Sequence, residues 1–230
     1  MPRPRTLCVL SPVASDFTPE HTLTLVDLFR HVPIARPSVL GPTSAASSDG
    51  WTADADHPFL YRQGSLVVHA RNQLVQEGLE RTQAEVFVWL DSDMRADAET
   101  ILAMVQRAAR FPNIVFGVGY PARGSDRWIG TGDARDKGDG TSDVPTIGFG
   151  LVAMHRSVLD RAIDRHGRFP FREEPGASPD DHVGEDVCFS RDWRALGGQL
   201  AILNDATVTH VGRAAWTGNW AEGRLDRRVR

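Results

Sequence analysis

The stretch FVWLDSDM, residues 87–94, decides how the rest of the chain is read. A run of apolar and aromatic side chains ends in Asp91-Ser92-Asp93, so an element suited to burial delivers two carboxylates. The run does not alternate, which suits a β-strand covered on both faces, as in the middle of a parallel α/β sheet. Asp and Ser are also ordinary turn and capping residues. Composition supplies D-x-D triplets too: with 21 Asp among 230 residues, roughly two arise by chance, and the chain holds a second, Asp54-Ala55-Asp56. Context separates them. Ligands of open α/β sheets bind beyond the carboxyl ends of strands. Asp91 and Asp93 sit at such an end. Asp54 and Asp56 fall in 41–58, rich in Gly, Ser, Ala and Asp, which reads as a loop with no strand leading in.

Outward from this stretch the elements follow by periodicity. Upstream, TLCVLSPV (6–13) is a strand stopped at Pro12, and a helix over 19–30 starts with Thr18 as N-cap and Pro19 at the first helical position. Residues 65–81 are helical, with Val67, Val68, Leu74, Val75, Gly78 and Leu79 on one stripe and Arg71 near its centre. An arginine on an apolar face needs a buried anionic partner or a route to solvent.

Downstream come a helix over 97–110, a strand NIVFGVGYP (113–121), and a loop over 122–146. TIGFGLVAMHRSVLDRAIDRHG (146–167) reads as a Gly-rich turn or strand, a strand and a helix. Residues 170–184 are loop. GEDVCFSRDWRALGG (184–198) is a helix with acidic residues in its first turn and Gly197-Gly198 as its stop. QLAILNDATVTHVG (199–212) is predicted as a hairpin turning at Asn204-Asp205. The order predicts one α/β domain with a mixed, mostly parallel, Rossmann-like sheet flanked by helices.

Bulk properties narrow the function classes. Hydrophobic residues at 41% and charged residues at 24% are ordinary for a soluble globular protein. A net charge of −4 gives no electrostatic reason for a polyanionic partner. Cys8 and Cys188 lie in a predicted strand and a predicted helix and read as small buried residues, not a disulfide framework. No apolar run has transmembrane length and the amino terminus lacks a signal-peptide core, so a cytoplasmic location is expected.

Two adjacent carboxylates repel each other, and a divalent cation is the usual way to hold both ionised. Oxygen ligands of this kind suit Mg²⁺ or Mn²⁺, which keep positions open for substrate phosphates. His210 shares a strand face with Ala206 and Val208 by period-2 alternation and suits either a core position or a third metal ligand. Asp186 shares a helix face with Phe189, Trp193 and Leu196, which aims it inward. Glu185 and Asp186 also fit a simple interaction with the helix dipole.

Taken together, SLVVHARNQLV, FVWLDSDM, GVGYP, GFGLVAMHRSVLDR, GEDVCFSRDWRALGG and ILNDATVTHVG, in that order over about residues 65–212, resemble small single-domain GT-A-type glycosyltransferases of bacterial and phage type. The resemblance implies a nucleotide-diphosphate sugar as donor and Mn²⁺ or Mg²⁺ as cofactor. It assigns Asp93 and His210 as metal ligands and Asp91 to the metal or the nucleotide ribose, with Ser92 between them. It places Arg71 near the diphosphate and Pro12 beside the base, and has Gly148 and Gly150 let the sugar approach the backbone. Glu185-Asp186 resembles the acceptor-activating acidic pair, with Asp186 as general base of an inverting reaction; a retaining relative would need no such base. It further implies a nucleotide-binding half over 1–121, an acceptor half over 122–212 and a tail over 213–230. Acceptor contacts fall by exclusion to loop 122–146 and to Trp216 and Trp220.

The acceptor itself stays open between a glycan, a small molecule and a modified nucleobase. A sugar nucleotidyltransferase would share the fold and the metal, but VLSPVASDF is not the Gly-rich loop that class needs, and the one lysine, Lys137, lies in a Gly/Asp segment. A non-catalytic nucleotide-sugar binder would need neither Asp186 nor a metal. A nucleic-acid module is disfavoured by the net acidity.

Overall fold

The computed structural model describes residues 5–14, 16–32, 51–54, 56–64, 66–122, 127–130, 132–176, 178, 182–212, 214–219, 221–222 and 224–229. Residues 41–50, 123–126, 131 and Trp220, which belong to the expected loops and tail, lie outside them. In chain order the first half runs β1 (Arg5–Val13), α1 (Pro19–His31), β2 (Trp51–Ala53), β3 (Phe59–Gln63), α2 (Val67–Arg81), β4 (Val86–Leu90), β5 (Met94–Arg95) and α3 (Ala98–Arg110). It continues with β6 (Ile114–Val118), β7 (Tyr120–Pro121), β8 (Trp128–Ile129), β9 (Arg135–Asp136), β10 (Thr141–Asp143) and β11 (Leu151–His155). The remainder is α4 (Arg156–His166), β12 (Glu174–Pro175), β13 (His182–Val183), α5 (Glu185–Ala195), β14 (Gln199–Leu203), β15 (Thr207–Val211), β16 (Ala214–Asn219) and β17 (Arg224–Val229).

One nine-stranded sheet, in the order β2-β1-β4-β11-β6-β14-β10-β9 with β3 also paired to β1, forms the centre. Only β11 and β10 run against the other strands. The sheet is therefore mixed and mostly parallel. β4 lies between β1 and β11 and is buried along its whole length. Val86, Val88 and Leu90 join the core beneath α1 and α3, and Phe87 and Trp89 join the core beneath α2, α4 and α5. That two-sided burial is the cause of the non-alternating apolar run.

Thr18 caps α1 as read, by accepting from the His21 amide. Asp97, expected inside the helix over 97–110, is instead the N-cap of α3 and accepts from the Thr100 amide. Gly197 ends α5 with φ +79°, the left-handed conformation that glycine adopts without strain.

Three expectations are corrected. The segment before Asp54 contains β2, which pairs in parallel with β1, so a short strand does lead into the second triplet. Loop 122–146 contains β8 and the β9–β10 hairpin, which extends the main sheet beyond β14. Residues 199–212 do not form a hairpin: both edges of β14 are taken by β6 and β10, so β15 turns away into a second sheet ordered β17-β16-β15-β5. The Asn204-Asp205 turn is real, and Ser142 Oγ donates to Asn204 Oδ1 at 2.8 Å to hold it against β10. The tail beyond 213 is thus two strands of that second sheet and not a frayed end.

Candidate functional site

Asp91-Ser92-Asp93 leaves β4 and is pinned through its backbone on three sides. Asp91 N donates to Gly150 O (2.9 Å), Thr18 N and Oγ1 donate to Ser92 O (3.0 and 3.1 Å), and Val211 N donates to Asp93 O (2.8 Å). β5 begins at the next residue, and its register pairs Met94 with His210, which sets His210 beside Asp93.

Arg71 comes to the same point from α2 and is only 2% exposed. Its guanidinium lies 5.6 Å from the Trp89 ring centroid and 5.3 Å from that of Phe149, within cation–π range. Nη2 donates to both Asp91 carboxylate oxygens (3.0 and 3.2 Å) and Nε donates to Glu185 Oε1 (3.1 Å). Burial by itself would lower the Arg71 pKa, but Asp91 and then Glu185 hold it above its ordinary value. Burial pushes the Asp91 carboxyl upward against the pull of Arg71. Arg71 Nη1 is buried and has no hydrogen-bond partner, a costly state for a guanidinium nitrogen unless a ligand supplies an acceptor. The anionic partner that the sequence demanded is therefore found, and one donor is left over.

A cleft of about 300 Å³ opens here, lined by Pro12, Arg71, Asp91, Ser92, Asp93 and Glu185 among others. Three carboxylates surround one permanently charged cation, an arrangement that would repel a bare diphosphate. A divalent cation reverses that balance.

His210 is 7% exposed and Asp93 8%. His210 Nδ1 lies 2.8 Å from Pro121 O, and because a carbonyl only accepts, Nδ1 carries the proton. In the neutral ring, Nε2 then turns its lone pair toward Asp93 Oδ2, 3.4 Å away. That separation exceeds the roughly 2.7–2.9 Å of a charge-assisted hydrogen bond. It falls within the span of two neighbouring ligands on one dication with bonds of about 2.1 Å. A histidine whose far nitrogen donates to a backbone carbonyl is the usual arrangement of a metal ligand. Asp91 does not join the pair, because Arg71 holds both its oxygens. Among the described residues no group of three or more His, Cys, Asp or Glu side chains is placed to hold a metal.

Gly148 and Gly150 both pack against Tyr120. A Cβ on Gly148 would lie 2.5 Å from Tyr120 Oη, and one on Gly150 would lie 2.8 Å from Tyr120 Cζ. The close approach that these glycines permit is made by Tyr120, whose hydroxyl accepts from Gly150 N at 3.1 Å. The same ring meets the His210 ring edge-on at 5.4 Å. Burial, then the charges of Asp91 and Asp186, keeps its phenol protonated.

Glu185 and Asp186 open α5 after the N-cap Gly184 and face different spaces. Glu185 lines the Arg71 cleft. Asp186 lines a second groove of about 360 Å³ with Trp128, Gly130, Thr146, Gly148 and Val187. Burial, then the neighbouring Glu185 charge, raises the Asp186 pKa. Ser190 Oγ donates to Asp186 O (2.7 Å) and accepts from Ile147 N (3.1 Å), tying the groove wall to the helix.

Sequence reading missed Tyr120, Trp128 and the aromatic pair around Arg71. Tyr120 stands inside GVGYP, but nothing in the sequence marks it as the filler beside two glycines 28 and 30 positions later. For Trp216 only the backbone is described, in β16.

The fold and the cleft at its strand ends define an α/β protein of GT-A type. No family model matches the chain, and no curated protein matches it. Among solved structures it is similar to A197 from STIV, with a TM-score of 0.56 and 14% identity over 98% of this chain and 95% of that one. It is also similar to GalNAc-T7, solved with UDP, GalNAc and Mn²⁺, with a TM-score of 0.51 and 13% identity over 89% of this chain. The match spans 44% of the GalNAc-T7 chain. Identities this low show the fold alone. No helix among the described residues is long and apolar enough to cross a membrane.

Proposed function

We propose that the protein is a metal-dependent glycosyltransferase that moves a sugar from a nucleotide-diphosphate donor to an acceptor hydroxyl. The observation that carries this reading is the strand-end constellation: a buried Arg71 with an unpartnered Nη1, and Asp93 facing a His210 whose tautomer is set by Pro121 O. GalNAc-T7, of similar fold, was solved with UDP, GalNAc and Mn²⁺, which supports the same class of donor and cofactor here.

In this reading residues 1–121 form the nucleotide half and 122–212 the acceptor half. Asp93 and His210 hold Mn²⁺ or Mg²⁺, and the diphosphate supplies further oxygens. When bound there, the dication would supply positive charge to offset that developing on the leaving diphosphate. Arg71 Nη1 donates to a diphosphate oxygen, and Glu185 and Asp91 keep the guanidinium charged and oriented. Pro12 and Ser92 border the nucleotide. Asp186, on the other side of the α5 start, takes the acceptor proton as the acceptor oxygen bonds to the anomeric carbon. The bond from that carbon to the diphosphate breaks, and the leaving group keeps the electron pair. With the acceptor oxygen attacking from the face opposite the leaving diphosphate, the reaction is inverting.

The test is a screen of UDP-, GDP-, TDP-, ADP- and CMP-sugars with Mn²⁺, read by nucleotide release and thermal shift. A metal-dependent response to at least one donor is expected, and silence across the panel overturns the reading. Asp186→Asn should retain donor binding and lose transfer. Because Asp186 must be ionised to act and its pKa is raised, transfer should fall with acidification through a pH above the ordinary carboxylate range.

A further inference from the structure

The groove on the Asp186 side has no assigned ligand. Its walls are β8, which contributes Trp128 and Ile129, the Thr146–Gly148 segment, and the first turn of α5. We propose that it is a subsite for a pyranose ring at the end of a glycan or simple glycoside. The proposal rests on the transferase reading for what happens to the ring, because Asp186 would take the proton of its hydroxyl.

The chemistry of the walls selects this class. Trp128 lines the groove, and an indole ring has an apolar, electron-rich face of the kind that attracts the C–H face of a sugar ring. Asp186 offers an acceptor-only carboxylate to the hydroxyl rim. Gly130, Gly132 and Gly148 line the groove without side chains. The volume lies at the small end of ligand sites, roughly 300–1,000 Å³, which fits one or two sugar rings and not an extended polymer. A nucleic acid fits poorly, because among the described residues that line the groove Arg127 is the one cation, whereas phosphate backbones are held by several.

The groove is also built rather than incidental. Ser190 clasps Ile147 to α5, Tyr120 packs beneath Gly148, and β8 is registered on β7 by the Tyr120–Ile129 and Pro121–Trp128 pairs. Its position is the strongest argument. Glu185 lines the Arg71 cleft and Asp186, the next residue of α5, lines this groove. In the transferase reading, Asp186 would meet a hydroxyl of a ring bound in this groove.

The experiment titrates the full chain with methyl glucoside, galactoside, mannoside and N-acetylglucosaminide of both anomers, and with thymidine and 5-hydroxymethyl-deoxycytidine. Binding is read by calorimetry. UDP, GDP, TDP and ADP with Mn²⁺ are titrated in parallel, and Trp128→Ala and Trp128→Phe are compared after melting curves confirm folding. At least one glycoside should bind. Trp128→Ala should weaken it about tenfold and Trp128→Phe about twofold, in line with loss and partial retention of an aromatic contact. Nucleotide binding should be the same in all three proteins. Glycoside affinity unchanged in Trp128→Ala overturns the proposal, as does a panel in which only the nucleosides bind or nothing binds. Nucleotide binding without any glycoside binding removes the groove assignment and leaves the transferase reading in place. Trp128-dependent glycoside binding without any nucleotide binding does the reverse.

Discussion

Asp54 and Asp91 each follow a parallel strand and each begin a D-x-D triplet, yet their carboxylates meet different partners. Asp54 Oδ1 accepts from the amides of Asp56 (3.2 Å) and His57 (3.0 Å), and Oδ2 accepts from Gln83 N (2.9 Å). Asp91 is bound by a guanidinium, and Asp93 faces an imidazole. Register explains the difference. Ala53 pairs with Leu7 of β1, whereas Trp89 pairs with Leu10. Asp54 therefore comes level with Cys8 and Asp91 with Pro12, about 13 Å further along the sheet at the strand rise of roughly 3.3 Å per residue. One triplet stops part-way up the sheet, among main-chain donors. The other reaches the carboxyl ends, where the cleft lies. A carboxylate whose lone pairs are spent on backbone amides is part of a turn, and one held by side-chain cations can take part in binding.

The most damaging way to break the comparison is at Arg71. Arg71→Met removes the cation shared by Asp91 and Glu185 and leaves two carboxylates facing each other beside an apolar pocket. Breaking a buried ion pair from one side costs about 3–5 kcal/mol, and chemical denaturation at neutral pH should show a loss of that order. The sign of the pH dependence follows: without Arg71 the carboxyls protonate more readily in the folded state, so the loss shrinks as pH falls below neutrality. A loss that stays constant down to pH 4 would mean that the packing of Arg71 between Trp89 and Phe149, and not its charge, matters.

Crossed substitutions sharpen the contrast between the two triplets. Asp93→Ala should lower metal-dependent transfer about 10²–10³-fold, the range for losing one electrostatic contribution to the transition state. Its melting temperature should hold or rise, because the cleft carries more carboxylates than cations. Asp54→Ala should do the opposite. Three amides lose their acceptor, at a cost of about 1–3 kcal/mol, while nucleotide-sugar turnover per folded molecule is unchanged. Equal effects of the two variants on turnover would erase the distinction drawn here.

The ease of reading these features from sequence tracks how local their causes are. β4, the Thr18 cap and the Gly197 stop depend on neighbours along the chain, and they were legible. Arg71 was legible as a problem, a cation on an apolar stripe, before its partners were known. Asn72, one residue on, gave no such signal: it clasps the Phe171 backbone through both amide atoms (2.8 and 2.9 Å), 99 positions away. β14 and β15 look like a hairpin because the pattern of two strands around Asn-Asp is local, whereas the competition of β6 and β10 for the edges of β14 is not. Tyr120 was missed for the same reason, since its role exists only once Gly148, Gly150 and His210 are folded around it.

Tyr120 also gives the mildest test of the two triplets. Tyr120→Phe keeps the ring against His210 and removes only the hydroxyl that accepts from Gly150 N. A buried amide left without a partner costs about 1–2 kcal/mol, and Gly150 is the residue whose carbonyl holds the Asp91 amide. The loosening should therefore pass along this short segment to Asp91. The amides that Asp54 holds, at Asp56, His57 and Gln83, have no bond to it. Hydrogen exchange read amide by amide should show Gly150 and Asp91 exchanging about tenfold faster, the factor for roughly 1.4 kcal/mol, with the three amides around Asp54 unchanged. If all five shift together, the substitution has lowered global stability, and the site triplet is no more dependent on Tyr120 than its twin.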